Sequence, residues 1–348
     1  MNIEDYGFKG KLLEDNNLVA RVITTYKDRY EVICNIGKVF ARLKKSSFYD
    51  NEQAVYPTVG DFVLIEFNEL GDSLITKTLD RKSYFKRAKS SDDRDHTRHV
   101  QHEQAVAANF DYVCITQSLN DNFNLRRIER YLSLAYESGA IPVVILTKCD
   151  LVENREKYIY EVQTVAPGVD VYPISCKTKE GLLKLNKIFT MGSTVVFLGS
   201  SGVGKSTLVN TLMGNEVMKT SSIRENDSRG RHTTTNRCLF MLPNGAMVID
   251  TPGMRELGMW DDESGIHKTF DDVRRIIATC KFKDCTHTNE PGCKIREAIE
   301  NGELQEERFI SYLKLENELK FNSNTESYLK DKKNKFKEIS KINKMRKR

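Results

Sequence analysis

Between residues 18 and 79, apolar and polar positions alternate in five short runs: Leu18–Thr24, Tyr30–Asn35, Lys38–Leu43, Asp61–Phe67 and Ser73–Leu79. A period of two sends successive side chains to opposite faces of a strand. The runs are parted by turn-forming stretches, Asn35-Ile-Gly37, Pro57-Thr-Val-Gly60 and Glu69-Leu-Gly71. Five short strands at this spacing predict a small barrel of the OB type. Arg21, Lys38, Arg42, Lys44 and Lys45 fall among the polar positions and are expected at the surface. They suit an RNA-facing surface and, equally, ordinary strand exteriors.

Lys89–Glu103 has no apolar periodicity and reads as a linker. Its His96, His99 and His102 sit in a charged, glycine-free stretch and are expected to be solvated. From Ala105 the pattern changes to continuous β-branched runs separated by helical spacing. Tyr112–Thr116, Ile141–Leu146, Tyr172–Ile174 and Thr194–Leu198 predict buried strands, and Asn124–Gly139 and Ser206–Met213 predict helices. Strands alternating with helices point to an α/β sheet. Cys238–Leu242 and Ala246–Ile249 flank Pro243-Asn-Gly245, a hairpin signal. Beyond them, Lys268–Thr279 and Ile295–Asn301 read as short helices.

Chemistry enters at Gly199-Ser200-Ser201-Gly202-Val203-Gly204-Lys205-Ser206-Thr207, placed between a buried strand and a helix. Glycines let backbone N–H groups converge on a phosphate, Lys205 reaches the β- and γ-oxygens, and the Ser206 hydroxyl suits Mg²⁺. Asp250-Thr-Pro-Gly253 follows as a metal and γ-phosphate sensor. The base is assigned by Thr147-Lys148-Cys149-Asp150 and by Ser175-Cys-Lys177, each at the end of a predicted strand. A carboxylate at Asp150 accepts the ring N–H and exocyclic amine of guanine, and adenine offers no such pair. Lys148 can lie over the base and brace the phosphate loop. The base-reading segment precedes the phosphate loop, the reverse of the ordinary GTPase order, so the domain reads as circularly permuted.

Gly230-Arg231-His232-Thr233-Thr234-Thr235 stands where a first switch belongs, and one of its threonines would complete the Mg²⁺ shell. Spacing does not distinguish the three, and Thr234 is assigned here. Met254 occupies the place of the usual water-orienting glutamine, and a thioether cannot orient water. His232 is therefore the candidate catalytic group beside Lys205 and Thr234, the alternative being a histidine that contacts a partner or caps a turn. Further on, Cys280-x₄-Cys285-x-His287-x₅-Cys293 matches a closed, structural Cys₃His zinc site.

Composition sets the outer limits. At 348 residues the chain calls for two or three domains. It has no apolar run of about 18 residues and no signal-peptide pattern, which implies a cytoplasmic protein without membrane association. Eight cysteines in this length do not make a disulfide scaffold. The net charge is +5, yet residues 330–348 alone hold ten Lys/Arg against Asp331 and Glu338. That tail is either a solvated helix end or a binder of polyanions.

Taken together, these motifs resemble the RsgA (YjeQ/YloQ) family, the small-subunit-dependent GTPases. The likeness runs from the barrel through Gln104-Ala-Val-Ala-Ala-Asn109, the Gly-Arg-His-Thr-Thr-Thr switch and Asp-Thr-Pro-Gly to the zinc spacing. Thr147 departs from the asparagine usual in GTPases. The resemblance implies a late 30S assembly factor that binds 16S rRNA and is stimulated by the subunit. The expected architecture is an OB-type barrel over 1–88, a linker over 89–104, a permuted α/β P-loop GTPase domain over 105–262 and a mainly helical zinc-binding domain over 263–348. The expected state is a monomer, with Mg²⁺ accompanying GTP. A nucleotide-gated RNA-binding module with incidental hydrolysis is the alternative, and a P-loop ATPase or kinase is opposed by Asp150.

Overall fold

The computed structural model describes residues 2–10, 17–51, 53–86, 105–215, 237–250 and 263–323. The linker histidines, the switch with His232 and Thr234, Gly253, Met254 and the basic tail lie outside them. Described residues up to Asp250 form one compact unit, and those from Glu263 onward form a second.

In the first unit, β1 (Asn17–Thr25), β2 (Tyr30–Cys34), β3 (Gly37–Leu43), β4 (Phe62–Glu66) and β5 (Ser73–Thr78) match the five alternating runs, with one helical turn, α1 (Lys45–Phe48), after β3. Antiparallel β1–β4 pairing closes the ring, and the parallel β3–β5 pair gives the OB arrangement. Inward positions supply the core: Ala20 and Val22 of β1, Val32 and Cys34 of β2, Ala41 of β3, Val63 and Ile65 of β4, and Ile75 of β5, capped by Phe48.

A two-stranded ribbon of β6 (Tyr84–Lys86) and β7 (Ala105–Ala108) follows the barrel. The segment from Ala105 precedes the α/β sheet rather than joining it. It pairs with β6 and leans on the barrel instead, the Ala108 amide donating to Val59 O at 3.0 Å. Gly60 makes this approach possible, because a Cβ there would stand 2.0 Å from Ala108 O.

The α/β part contains β8 (Tyr112–Ser118), α2 (Leu125–Glu137), β9 (Ile141–Thr147), α3 (Arg155–Val165), β10 (Val171–Pro173), β11 (Thr194–Leu198), α4 (Lys205–Met213), β12 (Cys238–Met241) and β13 (Met247–Asp250). The strand order is β10-β9-β8-β11-β13-β12, parallel except for β12. The sheet does not end there. β12 also pairs with β1 through Thr24 and Cys238, so the barrel and the α/β sheet share one run of eleven strands.

Arg21 was expected on the barrel exterior in water, and its position is corrected by the structure: it is 1% exposed. Its side chain does leave the barrel core, but that outer face of β1 is covered by the α/β part. Nε donates to Gly60 O at 3.2 Å, Nη1 to Tyr6 O at 2.5 Å and Nη2 to Asn109 O at 2.8 Å. Nη1 also lies 3.3 Å from Met247 Sδ in β13, and the guanidinium sits over the Phe62 ring. Burial lowers its pKa to about 10, against the pull of Asp111 and Asp61, so the group stays cationic at neutral pH. Nearby, Asp61 and Arg81 form a second buried pair at 2.7 Å.

The second unit contains α5 (Ser264–Thr269), α6 (Asp271–Ala278), α7 (Lys294–Glu300) and α8 (Glu306–Ser323). The single helix expected over Lys268–Thr279 is broken at Phe270, where φ −117° and ψ 34° leave the helical region. Phe270 is fully buried against Tyr312, and Arg308 of α8 lies over its ring while binding both Asp272 oxygens at 2.7 Å. Packing onto α8 outweighs local periodicity here. Among the described residues no helix is long and apolar enough to cross a membrane.

Arg21→Met keeps the aliphatic bulk but removes the guanidinium donors from three buried carbonyls, leaving those of Tyr6 and Asn109 without a side-chain partner while Gly60 O keeps the Asn109 side-chain amide at 3.3 Å. The free energy of unfolding should fall by about 3 kcal/mol, measured by chemical denaturation. A loss under about 1 kcal/mol would mean that these bonds do not hold the first unit together.

Candidate nucleotide site and metal cluster

Because β8, β9, β10, β11 and β13 run parallel, the loops after them emerge at one carboxyl edge, where open α/β sheets bind ligands. The Gly199–Lys205 loop leaves β11 against β8, and a Cβ on Gly199 would meet Thr116 O at 2.6 Å. Val203 anchors the loop from below, fully buried. Gly202 and Gly204 both take left-handed φ, turning the chain so that α4 starts at Lys205. Backbone amides at such a helix start form an anion site. Lys205 Nζ donates to Gly199 O at 2.6 Å and Ser200 O at 2.7 Å, which puts its charge at the loop mouth. Ser206 is half-buried on the first turn of α4, and Ser201 and Thr207 are exposed beside it. Asp250 ends β13; burial raises its carboxyl pKa, and the charge of Lys205 works against that rise.

The base-reading residues are fastened to this loop. Thr147 is buried, and its hydroxyl lies 2.5 Å from Val203 O and 3.3 Å from Gln117 O. Its hydroxyl is thus engaged with the phosphate loop. Lys148 adopts a left-handed φ of 57° and donates from Nζ to Gly202 O at 3.1 Å, the bracing expected of it. Register pairing of Leu146 with Pro173 sets the Thr147–Asp150 and Ser175–Lys177 segments side by side. A hydrogen bond from Ser175, aided by the charge of Lys177, holds the Asp150 carboxyl below its usual pKa. It is therefore ionised at neutral pH and ready to accept two N–H groups. Residues 199–207, 147–150, 175–177 and Asp250 are all brought to this edge; Gly253, His232 and Thr234 lie outside the described residues.

In the second unit, Cys280, Cys285, His287 and Cys293 present ligand atoms all within 4.8 Å of one another. His287 Nδ1 lies 3.6 Å from Cys280 Sγ and 3.5 Å from Cys293 Sγ. A tetrahedral ion with Zn–S of about 2.3 Å and Zn–N of about 2.05 Å requires roughly 3.6 Å, so the donor set fits. Sequence reasoning missed what shapes this turn. Glu290 accepts from the Thr286 hydroxyl and from the amides of Thr286 at 2.9 Å, Thr288 at 3.0 Å and Asn289 at 3.1 Å. Those bonds drop the Glu290 pKa to about 2 and hold His287 at a left-handed φ of 60°. The imidazole packs edge-on against Phe309 of α8, 5.6 Å between centroids.

Asp150→Asn places an amide donor where guanine needs an acceptor. GTP affinity should drop about 100-fold or more, read by displacement of a fluorescent guanine nucleotide. Unchanged affinity would remove Asp150 from base reading.

Comparison with known proteins agrees with this geometry. The family described as RsgA GTPase matches residues 78–260, more than half of the chain. A small ribosomal subunit biogenesis GTPase RsgA 2 of Listeria monocytogenes is 41% identical over 331 residues, covering 94% of this chain and 92% of the relative. The RsgA of Methanosarcina acetivorans is 43% identical over 307 residues, covering 88% and 80%. Among solved structures, YjeQ from Thermotoga maritima superposes with a TM-score of 0.63 at 25% identity, covering 86% of this chain and 97% of that one. YloQ, a circularly permuted GTPase, shares the fold with a TM-score of 0.58 at 24% identity, covering 87% and 95%. The barrel, the permuted motif order and the Cys₃His turn therefore have one common source: this chain belongs to the RsgA GTPase family and hydrolyses GTP.

Proposed function

We propose that this GTPase acts in biogenesis of the small ribosomal subunit, binding 16S rRNA and turning over GTP faster on the subunit. The observation that carries the reading is the bracing of the base-reading residues onto the phosphate loop, through Thr147 to Val203 O and Lys148 to Gly202 O. That brace makes base identity and triphosphate grip one unit, as a guanine-nucleotide switch needs. The names of the Listeria and Methanosarcina relatives supply the ribosomal context.

In this reading Asp150 selects guanine, with Ser175, Lys177, Thr147 and Lys148 around it. The amides of residues 200–206 and Lys205 stabilise the transferring phosphoryl group. Ser206 and Thr234 would hold the Mg²⁺ that accompanies GTP, which would supply positive charge to the triphosphate, with Asp250 and Gly253 sensing the γ-phosphate. His232 is assigned to position the attacking water, with intrinsic turnover slow and faster on the subunit. The Cys₃His turn takes one structural zinc, a closed shell with no open coordination position. The chain works as a cytoplasmic monomer divided at about 88, 105 and 262. The barrel face bearing Lys38, Arg42 and Lys45 and the basic tail over 330–348 meet RNA.

GTP turnover measured with and without purified 30S subunits tests this directly. A rise of about tenfold or more is expected. A rate indifferent to the subunit would leave hydrolysis incidental to RNA binding. For the metal, elemental analysis should find one zinc per chain, and Cys285→Ser should lose it together with helical signal from the second unit. Full helicity in that variant without metal would refute a structural role.

A further inference from the structure

We infer that Arg127 is a positioning residue for hydrolysis, acting through Ser200 of the phosphate loop. It rests on the GTPase reading and adds a residue that no motif contains. Arg127 lies in the first turn of α2, far in sequence from the loop. Its backbone is fixed because the Asn124 side chain caps the helix, accepting from the Arg127 amide at 3.0 Å. The preceding turn is built from asparagines. Asn120 Oδ1 accepts from the Ser118 hydroxyl at 2.7 Å and from the Asn122 amide at 3.2 Å. Phe123 pins the turn against Tyr158 of α3, edge to face at 5.1 Å.

This rigid turn delivers two donors to one hydroxyl. Arg127 Nη1 lies 3.0 Å from Ser200 Oγ, and Asn122 Nδ2 lies 3.1 Å from it. The same Nη1 contacts Asn122 Oδ1 at 2.9 Å and Asn122 O at 3.3 Å. A serine hydroxyl has two acceptor lone pairs, so both are engaged and the side chain is locked. The carbonyl of the same residue receives Lys205 Nζ at 2.7 Å. Ser200 is thus the point where the catalytic lysine and a cation from another helix meet.

The charge of Arg127 is also uncompensated. All its acceptors are neutral, and among the described residues it has no carboxylate partner. Its neighbour Arg126, by contrast, pairs with Glu129 at 2.6 Å. A guanidinium without a counter-ion beside a phosphate loop favours the bound polyanion, and its fork fixes where the loop amides point. Misplacing reacting groups by about 1 Å costs about 100-fold, so a loop held at Ser200 bears on turnover more than on ground-state binding.

The experiment is steady-state GTP hydrolysis by the full chain, comparing Arg127→Ala, Arg127→Lys, Ser200→Ala and the Arg127→Ala/Ser200→Ala double variant with the wild type. Arg127→Ala should lower kcat about tenfold or more with KM changed less than about threefold. Arg127→Lys, which keeps the charge and a donor, should recover most of that loss. Because the effect passes through Ser200, the double variant should be no slower than the worse single one. Thermal unfolding of each variant separates this from loss of fold. Wild-type kcat in a folded Arg127→Ala protein, or losses that multiply in the double variant, would overturn the inference. A wild type without GTPase activity would instead count against the GTPase reading itself, so the two failures are distinguishable.

Discussion

Arg21 carries a positive charge into the seam between a barrel and a parallel sheet, and among the described residues no carboxylate hydrogen-bonds it there. Its donors go to the carbonyls of Tyr6, Gly60 and Asn109. Those residues belong to the N-terminal turn, the loop before β4 and the start of the α/β part. Leaving buried donors or acceptors unmatched is costly, so once the guanidinium is inside, the three segments have little freedom relative to one another. The Asp61–Arg81 pair and the β1–β12 bridge at Thr24 and Cys238 tighten the same seam. β13, whose Met247 touches Arg21, ends at Asp250, so the seam and the nucleotide edge are opposite ends of one strand.

At the nucleotide edge the same economy of bonding recurs. The loops are joined mainly by side chains donating to backbone carbonyls: Thr147 to Val203, Lys148 to Gly202, and Lys205 to Gly199 and Ser200. Carbonyls turned toward these side chains leave the amides of the same peptides free to face a phosphate. Permutation of the chain alters which segment comes first but not this geometry, because parallel strands present their ends together whatever their order. In the second unit a carboxylate takes the complementary part, with Glu290 gathering amides to shape the His287 turn.

What could be read from the sequence follows from how local each constraint is. The phosphate loop, the base reader and the Cys₃His turn depend on spacing within a few residues, and the barrel strands on alternation, so all were legible. Arg21 was not, because alternation separates the two faces of a strand without saying what covers the outer one. The break at Phe270 was hidden for a similar reason: Arg308 and Tyr312, which hold its ring, lie some forty residues away. Arg127 stood inside a correctly expected helix. Its meeting with Ser200 depends on strand order, which no local pattern encodes.

The bridge between β1 and β12 at Thr24 and Cys238 has a consequence for dissecting the protein. β12 has β13 on one side and β1 on the other. Deleting the barrel would turn β12 into an open edge strand and uncover Met247 and Ile249, where Arg21 and Gly60 now pack. Open, apolar sheet edges recruit other chains. A GTPase fragment made this way would aggregate for reasons unrelated to nucleotides or RNA, and its inactivity would be wrongly charged to a missing binding domain. Besides any contact it makes with RNA, the barrel is the edge guard of the catalytic sheet, which ties the two parts into a single unit of inheritance.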